Sequence, residues 1–298
     1  MASGYVLQQV VNGLILGSMY ALVATGFSMI YGIIRLINFA HGDIVMVGAF
    51  ITLWMLQAAG APFPLVALAV LLSGAAMGIL IERAVFRPMR GAPQVSGFIA
   101  SLSVSIMIQN LGILLLTAQP RNFDFPEYLQ RLIQVGAVSF RTVDCLIMIL
   151  TIVLSGLLLL LVHRTRLGVA MRATAENLDV ARLMGININR TVMATFAIGS
   201  ALAGIAGLMW GGKFGQIDPL LGFVPGLKAF VAAVIGGVGS IGGAILGGYL
   251  LGLSEVLFVG LLPPVYSAYR DAFVFGTLIL ILLLLPNGLF GEKTEERA

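Results

Sequence analysis

Charge is what this sequence has least of. Of its 298 residues, 10% are Asp, Glu, Lys or Arg and 59% are hydrophobic, with a mean hydropathy of +1.03. Soluble domains carry about 25% charge, and so few charges could not screen so much apolar surface from water. A lipid bilayer removes the need to screen it. Cysteine is almost missing: Cys145 stands alone, which excludes an internal disulfide and any cluster of cysteine ligands. His41 and His163 are the only histidines and lie far apart, so the ligand set of a zinc or iron site is not there. The net charge of +4 and the pI near 9.5 do not point to nucleic acid, because no aromatics interleave with a basic stripe. Met1-Ala2-Ser3-Gly4 carries no basic region and no cleavage site. We therefore expect no cleaved signal peptide, and a first apolar run that stays as a span.

What the sequence has is long charge-free runs. A spanning helix needs about 20 apolar residues. Tyr5 to Ile34 is one such run, and Ile44 to Ile81 is two, divided by Pro62 and Pro64. Gly91 to Pro120, Cys145 to Val162 and Thr191 to Gly212 supply three more. Ala272 to Leu285 is another, stopped by Pro286-Asn287-Gly288. Between the last two lies Ala229 to Ser254, rich in glycine. Either it is one continuous span with small residues for close packing, or Gly236-Gly237-Val238-Gly239-Ser240-Ile241-Gly242-Gly243 breaks it into a re-entrant pair. The expected fold is all-α and polytopic, with about eight membrane segments plus the glycine-rich re-entrant one, in a single domain over 1–298.

Arg and Lys set the orientation. Arg83, Arg87 and Arg90 lie in one loop, and Arg164, Arg166, Arg172, Arg182 and Arg190 in another, two spans away and so on the same side. We read that side as cytoplasmic. With Arg35 and the tail residues Lys293 and Arg297 it holds eleven of the seventeen basic residues. The N-terminus is then outside, and the C-terminus is inside if Phe223 to Val259 enters and leaves by the outer face.

Three features could carry function. Asn38-Phe39-Ala40-His41-Gly42-Asp43 is short, polar and wedged between spans. Ionisable groups at membrane depth are costly and mark function, yet the segment also reads as a plain loop with Asp43 capping the next helix. It pairs with the Gly236 to Gly243 run as two interrupted segments, a pointer to a transport site, although the residues do not align as a repeat. Lys228 and Glu255 flank the second segment and read more readily as interface residues than as a pair. The loop 163–190 favours one helix over Gly168 to Met184. It holds Arg172 and Glu176, then Asp179 and Arg182, on shared faces, and Gly185 ends it. A charged helix held between spans suits a docking partner or a solvated interface equally.

The motifs taken together resemble the branched-chain amino acid permease family, the membrane subunits of ATP-binding-cassette importers. Gly13-Leu14-Ile15-Leu16-Gly17-Ser18-Met19-Tyr20-Ala21-Leu22, Gly32 and Asn38 to Gly42 resemble its opening. Pro225-Gly226-Leu227-Lys228-Ala229-Phe230 with Gly236-Gly237-Val238-Gly239-Ser240 resembles its second signature. Arg172-Ala173-Thr174-Ala175-Glu176-Asn177, Ala181 and Gly185 resemble its coupling region. The general coupling motif, Glu-Ala-Ala, three residues, then Gly, survives in spacing as Asp179-Val180-Ala181 and Gly185, without its downstream Ile-x-Leu-Pro part. The resemblance runs nearly end to end and is to the shorter of the family's two permeases.

That resemblance implies a type II importer fold. It also implies a heterodimer with a second permease, two cytoplasmic ATPase subunits, and a periplasmic binding protein that delivers leucine, isoleucine or valine at the inner membrane. ATP and Mg would be bound by the partners. This chain has no phosphate-cradling G-x-x-x-x-G-K-[ST], and the resemblance gives it no catalytic residue, metal or cofactor. Coupling would fall to Arg172, Ala173, Glu176, Asn177, Asp179, Ala181 and Gly185. The path would pass Asn38, His41, Gly42, Asp43, Gly236, Gly237, Gly239 and Ser240, with few direct substrate ligands. Related permeases carry urea, short amides or other amino acids. Two other classes fit less well. A stand-alone carrier or channel needs intramembrane acids, and most spans carry none. An intramembrane enzyme needs a nucleophile and base, for which no pair exists.

Overall fold

The computed structural model describes residues 2–291. Lys293, Arg297 and the rest of the tail, assigned above to the inner side, lie outside the described residues. The chain begins with α1 (Ala2–Ile34), α2 (Ala40–Gln57) and α3 (Phe63–Ile81), followed by a π-helical turn Glu82–Phe86 and α4 (Gln94–Leu116). A small layer of β1 (Arg121–Asn122), α5 (Glu127–Gln130), β2 (Leu132–Val135) and β3 (Val138–Arg141) comes next. Then follow α6 (Thr142–Arg164), α7 (Arg166–Glu176), α8 (Leu178–Leu183), α9 (Ile188–Phe214), β4 (Gln216–Ile217), α10 (Phe223–Gly236) and α11 (Ile241–Leu261). A 3-10 turn Pro264–Tyr269 leads into α12 (Arg270–Leu284). Eight of these helices are long and apolar enough to cross a membrane. The chain is a multi-pass membrane protein.

The expected spans are all present. Pro62 and Pro64 divide α2 from α3 as read, Pro62 capping α3 with Pro64 in its first turn; Pro93, not singled out in the sequence, caps α4. One boundary differs in a way that matters. α2 begins at Ala40, so His41, Gly42 and Asp43 form its first turn and Phe39 is its cap. Asp43 is therefore no N-cap, and the plain-loop reading of this segment is wrong.

The bundle has two distinct ends. The β2–β3 hairpin, paired from Leu132↔Arg141 to Val135↔Val138, marks one. It is pinned to α1 by Gln8, whose Nε2 donates to the Ser139 carbonyl at 2.9 Å and whose Oε1 accepts from Ser139 N at 2.8 Å. The turn Glu82–Phe86, α7 and α8 mark the other, arginine-rich end. α1 and α9 are buried along most of their length, whereas α3, α4, α6 and α12 turn apolar side chains such as Leu72, Leu114, Ile152 and Leu283 outward. Those faces have hydrocarbon as their solvent, so their exposure costs nothing.

Two four-helix sets repeat one arrangement in opposite directions. α1 lies antiparallel along α11, with Gly248 and Gly252 against Ala21 and Gly17. α9 lies antiparallel along α3, with Gly74 and Gly78 against Ser200 and Phe196. Both contacts use glycines four apart, one turn of helix, which present a flat stripe. α2 crosses α9 where Gly207 meets the Val45 carbonyl, and α10 crosses α1 where Phe230 meets Phe27 edge-on at 5.7 Å. No repeat was legible in the sequence; it lives in the order α1–α4 and α9–α12.

A Cβ at Gly207 would run into the Val45 carbonyl oxygen, while one at Gly156 meets open space. Gly207→Leu should therefore cost about 1–3 kcal/mol through overpacking and lower the yield of monodisperse protein in detergent. Gly156→Ala should leave it unchanged.

Candidate functional site

The polar segment between α1 and α2 is intramembrane. Arg35 turns the chain back at φ 52, a left-handed conformation that non-glycine residues rarely adopt. Residues 35–39 then run unwound into the bundle. Ser101 on α4 covers them, donating Oγ to the Ile37 carbonyl at 3.0 Å. His41 reaches α1 and donates Nε2–H to the Val23 carbonyl at 3.3 Å. Val23 is eleven residues from the end of α1, a depth of about 16 Å. Asp43 accepts from Gln109 Nε2 at 2.9 Å, and Gln109 also donates to Ser105 at 3.1 Å. Asn38, His41 and Asp43 are each buried to within 2%.

The second unwound stretch, between β4 and α10, descends from the hairpin end to the same depth. There the backbones of Gly222 and Gly226 touch Gly42. The first turns of α2 and α10 thus meet inside the membrane. Around them Phe27, Asn38, Phe39, Ser105, Phe223, Gly226, Leu227 and Phe230 enclose a cavity of only about 10 Å³, at the lower limit for one water. Asn38 Nδ2 and Oδ1, His41 Nδ1 and Asp43 Oδ2 have no hydrogen-bond partner. Buried polar groups are seldom left unpaired; Asn38 puts such polarity on the chamber wall, and His41 and Asp43 hold theirs in the first turn of α2. The chamber is closed to any amino-acid side chain.

Gly236, Gly237, Gly239 and Ser240 do not join it. They form the turn between α10 and α11 at the arginine-rich end, which confirms the interruption and corrects its grouping with Asn38 to Asp43. Gly237 and Gly239 take φ of 103 and 91, a region that favours glycine. Ser28 Oγ accepts from Gly239 N at 3.0 Å, and Ser240 Oγ caps α11 by accepting from Gly243 N at 3.1 Å. The segment after α12 closes the end of α10, with Leu289 N donating to the Ile235 carbonyl and Phe290 N to that of Gly236. α11 then returns to the hairpin end, where Tyr5 OH donates to the Gly260 carbonyl at 2.6 Å. The partner of Asn38 to Asp43 is the glycine pair 222 and 226, which sequence reasoning missed because a two-residue contact leaves no run to notice.

Lys228 and Glu255 are not interface residues, as the sequence suggested. Lys228 Nζ lies 2.8 Å from Glu255 Oε1 and 2.8 Å from Asp271 Oδ1, and both Lys228 and Glu255 are buried. Tyr20 OH donates to Glu255 Oε2 at 3.0 Å. A lysine and a glutamate deep in a bundle are tolerable only when paired, and the pairing needed α10, α11 and α12 to fold together.

At the arginine-rich end, loop 163–190 is two helices and not one. Asn177 is extended at φ −156 and its Oδ1 accepts from Asp179 N and Val180 N, both at 3.0 Å, so it caps α8 and breaks the run. Neither the Arg172–Glu176 nor the Asp179–Arg182 ion pair forms among the described residues. Gly185, at φ 82, closes α8 with Gly185 N donating to the Arg182 carbonyl and Ile186 N to that of Ala181. Ala181 is buried and Ala173 half-buried, while Arg172, Glu176, Asn177 and Asp179 are exposed. Val180, Leu183 and Met184 are exposed too, at 54%, 86% and 78%. The unit is tied to the turn after α3, where buried Glu82 accepts from Arg87 at 2.8 Å and from Arg90, which also donates to Asn189 at the start of α9. Burial lowers the Arg90 guanidinium from its ordinary pKa, and the Glu82 charge opposes that shift.

A family profile described as branched-chain amino acid transport system / permease component matches residues 9–282. The high-affinity branched-chain amino acid transport system permease protein BraD of Pseudomonas aeruginosa is 41% identical, over 98% of this chain and 97% of its own. The permease LivH of the corresponding Escherichia coli system is 38% identical over 98% of both chains. A probable branched-chain amino acid transport permease protein LivH of Methanocaldococcus jannaschii is 30% identical, over 94% of this chain and 91% of its own. No solved structure matches.

Asn177→Ala and Gly185→Ala should each destabilise α8 by about 1 kcal/mol, through a lost cap and a strained left-handed residue. Amide hydrogen exchange should rise over 178–186 and stay unchanged in α9.

Proposed function

The chain belongs to the branched-chain amino acid transport system permease component family, and on that footing we propose that it is the membrane-spanning half of an ATP-driven importer of leucine, isoleucine and valine. As a permease subunit it is not itself an enzyme. Its partners in this reading are a second, homologous permease, two ATPase subunits that bind ATP and Mg on the cytoplasmic side, and a periplasmic protein that delivers the amino acid. The membrane is the bacterial inner membrane, with the arginine-rich end in the cytoplasm and the N-terminus and hairpin outside. The near full-length relationship to such permeases carries the reading.

The arginine-rich end supports the coupling role. α7 and α8 project a charged and apolar face past the bundle, and Leu183 and Met184 lie uncovered by the described residues. Such a face suits a motor subunit that grips it. A displacement of α8 would pass through Ala181 and the Gly185 turn into α9, and through Asn189 and Arg90 into the end of α3. Both are long rigid helices that meet each other along the Gly74–Gly78 stripe. Rigid elements of this kind transmit small shifts by shearing past one another.

The chamber lined by Asn38, near the first turn of α2 with His41, Gly42 and Asp43, supports a path that is shut in this conformation. Opening would part the first turn of α10 from that of α2, where glycine backbone meets glycine backbone. The glycines of the Gly236–Ser240 turn would then act as a hinge at the cytoplasmic end, away from the substrate.

Reconstituted with its partners, the complex should take up labelled leucine only with ATP and loaded binding protein present. Glu176→Ala and Gly185→Ala should cut uptake at least about fivefold while ATP hydrolysis continues, because each alters the coupling face and not the path. Uptake driven by an ion gradient without ATPase subunits would overturn the reading. Full coupled transport in both variants would overturn the placement of the coupling unit.

A further inference from the structure

The Lys228–Glu255 pair extends outward in a way the transport reading does not yet use. Arg270 and Asp271 stand at the start of α12. Arg270 Nε lies 3.2 Å from Glu255 Oε1, and Lys228 Nζ lies 2.8 Å from Asp271 Oδ1. The four charges alternate in sign and cancel. The inner two, Lys228 and Glu255, are 2% and 1% exposed, whereas Arg270 and Asp271 are 52% and 53% exposed. The outer pair has capacity to spare. The nearest ion contacts of Arg270 run through Nε and those of Asp271 through Oδ1, with 3.9 Å between the two atoms, and neither the Arg270 terminal nitrogens nor Asp271 Oδ2 form a hydrogen bond among the described residues.

Depth decides what this means. Glu255 is six residues short of the end of α11, about 9 Å into the helix from the hairpin end. Charged groups at that depth do not face lipid; they face protein or a water-filled passage. As a stability device the cluster is poor, since buried ion pairs can often be exchanged for apolar residues without loss. Its remaining property is chemical: one guanidinium edge and one carboxylate oxygen, side by side, both open, on a fixed neutral base.

We propose that Arg270 and Asp271 form a receiving site for a zwitterion, the Arg270 terminal nitrogens taking an α-carboxylate and Asp271 Oδ2 an α-ammonium. Lys228 and Glu255 are positioning residues that hold the outer pair in place and neutralise it. The site rests on the transport reading and narrows it, because it favours amino acids over urea and short amides. It reads the headgroup and leaves the choice of side chain to the delivering protein. Guanidinium–carboxylate recognition is bidentate, and charge-assisted hydrogen bonds are among the stronger ones available.

The test is ligand binding by saturation-transfer NMR to the whole transporter in lipid nanodiscs, without binding protein. The probes are leucine, leucinol, which keeps only the ammonium, isocaproate, which keeps only the carboxylate, and urea. Leucine should bind at least about tenfold more tightly than leucinol or isocaproate, and urea should give no signal at the same concentration. Arg270→Gln and Asp271→Asn should each weaken leucine about tenfold and erase its advantage over one analogue, isocaproate for Asp271→Asn and leucinol for Arg270→Gln. Should a variant fail to assemble, the wild-type ranking decides alone. Equal binding of leucine and either analogue, or no binding of leucine, overturns the site. ATP-driven leucine uptake by the same wild-type transporter, reconstituted in proteoliposomes with loaded binding protein, is measured in parallel: its absence overturns the transport reading, while its presence with no headgroup ranking overturns only the site.

Discussion

Hydrocarbon offers no hydrogen bonds, and this fold turns on how it keeps unwound backbone at membrane depth. Helices satisfy themselves; segments 35–39 and 237–240 do not. Each is served by a side chain from a neighbouring helix. Ser101 of α4 covers Ile37, and Ser28 of α1 reaches both Gly239 N and the Ser240 carbonyl. The exposed end of α10 is closed by backbone donors from Leu289 and Phe290. Neither interruption could exist on an isolated helix pair. They persist because the two halves of the molecule wrap each other, with α1 laid along α11 and α9 along α3.

That wrapping depends on small residues. Gly17 and Gly252, and Gly78 and Ser200, let backbones come close enough for dispersion to replace the hydrophobic effect, which has no force between helices in lipid. The same smoothness has a mechanical side. A contact of backbone on backbone has no interlocked side chains to break when it slides. The structure thus combines tight packing along two seams with a meeting of α2 and α10 where the backbones of Gly222 and Gly226 touch Gly42. Those seams run along the helices that carry the arginine-rich end, where α7 and α8 project, and the polarity at mid-depth.

Charge is sparing and placed. Glu82 binds two arginines where α3 ends, and Asp144 takes Lys213 at 2.6 Å near the hairpin. Lys228, Glu255, Arg270 and Asp271 gather between α10, α11 and α12. Lys228 and Glu255 read in the sequence more readily as flanking interface charges than as a pair, and Arg270 and Asp271 did not stand out. Periodicity and local spacing say nothing about residues 27 or 43 positions apart meeting in space, so the cluster was invisible until α11 folded back beside α10.

Much was nonetheless legible. A chain with 10% charge had to be a membrane protein, because no aqueous fold hides that much apolar surface. Prolines 62 and 64 and the glycines after 235 marked where helices start and stop, because their backbone limits are local. The Arg35, Arg87 and Arg90 side of the bundle could be grouped from loop arithmetic. The family could be named from spaced motifs. Tertiary structure decided the rest: that Asn38, His41 and Asp43 lie buried and not in a loop, that Asn177 splits the projecting helix, that Lys228 finds Glu255, and that two halves without sequence likeness share one inverted plan. Each of these depends on what a side chain meets across the bundle, and the free energy of an unwound segment or a buried charge is set by that partner, not by its neighbours in the chain.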